Sequence, residues 1–151
     1  MYDKNKAVKY ALKWALKRNP KYYNYDNFGG DCTNFISQCL YAGGLQMNYF
    51  EKGWYYINGN KKSASWTGVE FLYSYLKIKN YIEEITFEKA SIGDIIQFSK
   101  NGVKFTHSLI VTKKQNNELY ICCHSNDAKN KNIREYDFKK IRIMRIIDKN
   151  F

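Results

Sequence analysis

The sequence predicts an α+β fold, N-terminal helices packed on an antiparallel β-sheet, and three observations carry that reading. Apolar residues recur at helical spacing up to about residue 79. From residue 94 onward the signal becomes short apolar or alternating runs parted by Gly, Asn and Lys. Helical signals first and strand signals second is the order expected when helices pack to one side of an antiparallel sheet. With 151 residues, 44% of them apolar, and no repeat or low-complexity linker, the chain is expected to form one domain over 1–151.

Each element follows from its pattern. Residues 5–18 carry Ala7, Tyr10, Ala11, Trp14 and Ala15 on one stripe with lysines opposite, an amphipathic helix stopped by the single proline, Pro20. Residues 32–42 form a second helix with Phe35, Ile36, Cys39 and Leu40 inward, ending at Gly43 and Gly44. The stretch 45–65, rich in Asn, Gly, Lys and Tyr, reads as loop. Val69, Leu72, Tyr73 and Leu76 mark a helix from Trp66 to about Lys79. Residues 94–98, 107–114, 119–125 and 141–147 read as strands, the middle two joined as a hairpin through "QNNE".

Charge and cysteine usage narrow the function. Lys plus Arg is 25 against 14 for Asp plus Glu, a formal net charge of +11, which favours a polyanionic partner: nucleic acid, an anionic membrane or an acidic wall polymer. No stretch reaches the ~18 uncharged apolar residues of a membrane span, and the N-terminus lacks the apolar core and cleavage site of a secretory signal. The expectation is a chain made in the cytoplasm that reaches a cell wall by lysis or dedicated secretion, or a domain cut from a longer secreted parent. Cys32 and Cys39 would lie roughly 10 Å apart on one helix, beyond the roughly 7 Å limit of a disulfide. Cys122 and Cys123 would face opposite sides of a strand, so all four are expected as free thiols. No paired C-x2-C or H-x3-H spacing supports a metal site. Dispersed lysines without a binding motif argue against specific nucleic-acid recognition.

The chemistry gathers around Cys32. At the start of a helix its sulfur would meet unpartnered N–H groups and the positive end of the helix dipole, which eases ionisation to the nucleophilic thiolate. Gly29 and Gly30 permit a tight approach, and the N–H groups of the helix start, at Thr33 among others, could receive an oxyanion. The chain has only two histidines. His107 opens one strand of the hairpin and His124 closes the next, so both are expected at one edge of the sheet. Cys32, His107 and His124 could serve as nucleophile, base and orienter. Asn126 and Asp127 compete with His124 for the third position. Asp94, in "GDIIQF", reads as a turn residue.

The order "GGDCTNFISQ", "GDIIQF", "HSLIV", "ICCHS" resembles the NlpC-type peptidases of the papain-like cysteine peptidase superfamily. More narrowly, with "AVKYALKWALKRNP", it is similar to the putative amidase domain family, from about Ala7 to His124. The resemblance implies a papain-like fold with the catalytic cysteine at a helix N-terminus, Cys32 as nucleophile, His107 as base and later acid, and His124 at the third, polar position. It implies further that Asp31 binds the free amine of a stem-peptide substrate, and that a tyrosine, Tyr23 in preference to Tyr22 or Tyr25, assists the oxyanion site. The function so implied is a cysteine amidase or peptidase acting on peptidoglycan stem peptides as a monomer without cofactor, with anionic wall polymers as further partners. An acyltransferase or transpeptidase using the same site and a non-catalytic basic module remain the alternatives.

Overall fold

The structure, a computed structural model, describes residues 1–147. Helix α1 (Lys4–Trp14) starts at Asp3, whose carboxylate accepts the N–H groups of Asn5 and Lys6. It lays Ala7 and Ala11 against the core. Helix α2 (Cys32–Ala42) runs through the middle of the molecule, with Cys32 to Leu40 all buried. Burial of its polar residues is tolerated because each finds a partner. Trp54 Nε1 donates to Ser37 Oγ at 3.0 Å, Trp66 Nε1 to Asn34 Oδ1 at 2.9 Å, and the Tyr10 hydroxyl to Gln38 Oε1 at 2.5 Å.

A two-stranded ribbon, β1 (Tyr56–Asn58) and β2 (Lys61–Lys62), occupies part of the expected loop. The helix expected after Trp66 is two, α3 (Ala64–Thr67) and α4 (Val69–Ile78), because Gly68 between them is extended. Six strands follow: β3 (Ile82–Ile85), β4 (Ile95–Ser99), β5 (His107–Gln115), β6 (Glu118–Cys123), β7 (Ala128–Asn132) and β8 (Lys140–Ile146). They form one sheet in the order β3-β8-β4-β5-β6-β7 with every neighbouring pair antiparallel. This is the α+β arrangement that the change of period predicts.

Alternation divides the sheet between two cores. Ile95, Ile110, Cys122 and Met144 face the helices. Ile96, Phe98, Leu109, Val111, Ile121 and Cys123 face the other way, under Ala90 and Ile133. Cys122 and Cys123 thus point to opposite faces, and all four cysteines are free. The β5–β6 hairpin turns at Asn116 and Asn117, with φ of 52° and 62°, the left-handed pair that a two-residue turn requires. Within β5 the register slips by one between Val111 and Lys113, a bulge that governs where the histidines point. Among the described residues no helix is long and apolar enough to cross a membrane.

Candidate active site

Cys32 is the first residue of α2 and is 8% exposed. Gly29 and Gly30 precede it at φ of 89° and 99°, the left-handed region that glycine enters without a Cβ penalty. A Cβ on Gly30 would stand 3.3 Å from Ser125 Oγ, and that hydroxyl accepts the Asp31 N–H at 3.0 Å. The pair of glycines therefore seats the start of α2 on the chain leaving β6. Asp31 does not cap the helix with its side chain, so the N–H groups of the first turn are left for other acceptors.

The sulfur lies against the entrance to β5. The Ser108 N–H reaches it, as does the Thr33 N–H, and Thr33 Oγ1 is 3.7 Å away. A cleft of about 340 Å³ opens over Cys32, walled by Gly29, Gly68, Glu70, Phe105 and Thr106. Thr106 adjoins His107, so the cleft leads from the sulfur to the segment that carries the imidazole. The His107 ring sits 5.2 Å from the Phe98 ring and 6.3 Å from the Tyr136 ring. Neither of its nitrogens has a hydrogen-bond partner among the described residues, and no hydrogen bond joins it to Cys32.

Electrostatics at rest differ from the sequence expectation of an activated thiolate. Burial pushes the Cys32 thiol up, opposed by the N–H groups of Ser108 and Thr33 and the Thr33 hydroxyl, and aided by Asp31. Burial, with Lys100 nearby, pulls His107 down to about 4. Near neutral pH the two groups rest as thiol and neutral imidazole. Loss of solvation outweighs the polar groups that favour the anion.

His124 does not orient His107. It stacks on Phe35 of α2 at 4.0 Å, on the helix side of the sheet, whereas His107 shares the opposite face with Leu109 and Phe98. Its Nε2 donates to the Trp14 carbonyl at 2.8 Å, and its Nδ1 meets Asp31 Oδ2 at 2.6 Å, which occupies both nitrogens. The bulge in β5 is the cause. Past the slip Ile110 pairs with Cys122; in the register of the turn, where Gln115 pairs with Glu118, the two histidines would share a face.

The remaining candidates are placed as follows. Asp31 is fully buried, so its carboxylate is not offered to a substrate amine. Its Oδ1 accepts from the Tyr25 N–H and from Asn34 Nδ2, both at 2.8 Å. Arg18 Nε stands 3.3 Å from Oδ2 without hydrogen-bond alignment. Burial raises the Asp31 carboxyl, but the bonds from His124, Tyr25 and Asn34 outweigh it and hold it below the ordinary carboxylate range. Asp127 clamps Arg18 through both oxygens, at 2.9 and 2.8 Å. Asn126 offers only its carbonyl, to Cys123 Sγ at 4.0 Å; neither residue contacts His107. The Thr33 side chain is buried, bonded to Ser108 Oγ at 3.0 Å, so both its hydroxyl and its backbone N–H stand at the sulfur. Tyr23 packs over Gly59 and Tyr25, outside the cleft lining. Asp94 acts in its turn, accepting the Ser91 N–H at 2.7 Å.

Sequence reasoning missed the polar row beneath Cys32. Ser108 Oγ accepts from Gln97 Nε2 at 3.1 Å; Gln97 Oε1 accepts from Arg142 Nε at 2.9 Å, and Arg142 pairs with Glu70 at 2.7 Å on the cleft wall. Tyr73 and Phe105 cover the guanidinium at 3.6 and 3.9 Å. Gln97 and Ser108, polar positions inside otherwise apolar strands, were the available signal. No group of three or more His, Cys, Asp or Glu side chains is placed to hold a metal ion among the described residues.

The family model described as a putative amidase domain matches residues 1–147. Two Bacillus subtilis (strain 168) proteins are similar: the uncharacterized protein YhbB, 36% identical over 126 residues, covering 78% of this chain and 39% of its own, and the uncharacterized protein YjcM, 32% identical over 137 residues, covering 85% of this chain and 32% of its own. The chain thus spans 39% and 32% of the length of these two relatives. No solved structure matches it.

Proposed function

Because the chain belongs to the putative amidase domain family, we propose that it cleaves an amide bond through a thioester on Cys32, and that the bond lies in the stem peptides of bacterial peptidoglycan. The observation that carries this reading is the setting of the sulfur: first residue of α2, at a cleft that Thr106, the residue before His107, also lines. In this reading the domain is papain-like in the NlpC manner, with Cys32 and His107 as a dyad and His124 as a residue that positions Asp31.

The steps use groups already described. Neutral His107 takes the Cys32 proton as the sulfur attacks the amide carbon, and the negative charge forming on sulfur and oxygen raises the basicity of the ring at that moment. The carbonyl oxygen becomes an oxyanion and is received by N–H groups of the first turn of α2. When the C–N bond breaks, His107 returns the proton to the departing amine. Water then attacks the thioester, releasing a carboxylic acid and the free thiol. The positive charge of the chain suits a wall that carries acidic polymers.

The test is digestion of purified peptidoglycan by the native chain and by Cys32→Ala, with released fragments identified by mass spectrometry. New amine and carboxyl ends are expected only from the native chain. Equal fragments from both proteins would remove Cys32 from the chemistry, and joined rather than cut peptides would reassign the chain as a transferase.

A further inference from the structure

A second feature lies on α1, and it does not depend on the chemistry of Cys32. Residues 1–25 hold six lysines and Arg18 against the single acid Asp3, so six of the eleven net positive charges of the chain fall in its first sixth. Arg18 is neutralised by its contacts with Asp26, Asp31 and Asp127. Lys4, Lys6, Lys9, Lys13, Lys17 and Lys21 are all exposed. None of them forms an ion pair among the described residues, where Lys77 is the one lysine that does. Lys9 and Lys13 stand four apart on α1, a like-charge spacing that weakens a helix. Lys13 and Lys17 both bring their ammonium groups to the Trp14 ring, at 5.2 and 5.1 Å. A row of cations that repel one another and have no carboxylate beside them lowers the stability of the free protein; an anion laid along it would remove that repulsion.

We propose that this face, with Lys9, Lys13 and Lys17 at its centre, binds a linear polyol-phosphate polymer, the phosphodiester chemistry of anionic bacterial wall chains. Lys9 and Lys13 rise about 6 Å along α1, a separation suited to neighbouring phosphates of an extended chain, and Lys17 follows just past the helix end beside the Trp14 ring. Lysine ammonium groups meet phosphates as point charges and read nothing else. The face offers no platform for bases: the Tyr10 hydroxyl is bonded to Gln38, the Trp14 ring is shared by two lysines, and the one arginine is held by carboxylates. It offers no apolar stripe to a bilayer, because the apolar side of α1 is packed in the core.

Trp54 and Trp66 are fully buried while Trp14 is partly exposed, so iodide quenching of tryptophan fluorescence reports on this face. Titration with purified poly(glycerol phosphate) should shield Trp14 from iodide. Against log salt, the log affinity of Lys9→Gln/Lys13→Gln/Lys17→Gln should show a slope shallower by about 2 than the native chain, from about 0.7 per lost contact. Its affinity at low salt should fall at least tenfold. Lys52→Gln/Lys113→Gln/Lys139→Gln, which removes the same charge from exposed positions elsewhere, should leave slope and affinity unchanged. Equal losses in the two variants would show a diffuse charge effect and overturn the site. Tighter binding of single-stranded DNA with the same number of phosphates, or of phosphatidylglycerol vesicles, would overturn the assigned partner. No arm reads amide cleavage, so this proposal and the one at Cys32 fail separately.

Discussion

Replacing Asp31 by alanine and by asparagine should give two different outcomes, and the difference follows from proton positions. Alanine leaves three donors without an acceptor in a site closed to water: the Tyr25 N–H, Asn34 Nδ2 and His124 Nδ1. Breaking one partner of such a buried charged group costs about 3–5 kcal/mol, so Asp31→Ala should lose roughly 4 kcal/mol. For a chain of this size that is a fall in Tm of about 8–16 °C. Asparagine keeps an oxygen for Tyr25 and Asn34, and its amide can donate to Nδ1 of an imidazole that keeps its hydrogen on Nε2 for the Trp14 carbonyl. What remains lost is the carboxylate charge beside Arg18, so Asp31→Asn should cost only about 1–2 kcal/mol. Urea unfolding near neutral pH measures both. If alanine costs no more than asparagine, the hydrogen-bonded hub drawn here does not hold the start of α2.

Three further outcomes are expected. Stability should fall as pH drops from about 6.5 to about 4: the unfolded His107 gains its proton near 6.5 and the folded one only near 4, so the unfolded chain binds more protons between them. The loss is about 3 kcal/mol at most, and His107→Gln should remove that part of the profile in urea titrations at stepped pH. Gly30→Ala should cost about 2 kcal/mol in the same assay, from a left-handed backbone at φ 99° and the contact with Ser125, whereas the space around Gly29 is open and only the backbone term applies there. Alkylation of the free protein by iodoacetamide should be slow at pH 6 and quicken through pH 9 at Cys32 alone, because burial raises that thiol and the other three are fully enclosed; a plateau of fast labelling at pH 6 would show a resting thiolate.

Much of this architecture was legible where the pattern is local. Phe35, Ile36, Cys39 and Leu40 fix α2 by their spacing, and the strands that hold Ile95, Leu109 and Ile121 show themselves as apolar runs. β7 did not, because "AKNKN" has one buried residue, Ala128, and is a strand by pairing with β6. The glycines before Cys32 correctly suggested a close-packed helix start. The failure at His124 has a single-residue cause: the bulge at Thr112, whose hydroxyl bonds Asn130 Oδ1 at 2.7 Å, shifts β5 by one and sends the two imidazoles to opposite faces. Nothing near either histidine announces that slip. The buried state of Asp31 was equally hidden, since His124, 93 residues away, covers its Oδ2 and is itself held by the Trp14 carbonyl, while Arg18 closes from the segment after α1.

The account turns on a covalent bond between the Cys32 sulfur and the acyl half of the substrate. Its most direct measurement is an acid-quenched reaction with peptidoglycan fragments, followed by proteolysis and mass spectrometry of the peptide that contains Cys32. An acyl thioester on Cys32, released by hydroxylamine and lost in His107→Ala, is the predicted result. Fragment release with Cys32 unmodified at every quench time and undiminished in Cys32→Ala would contradict it.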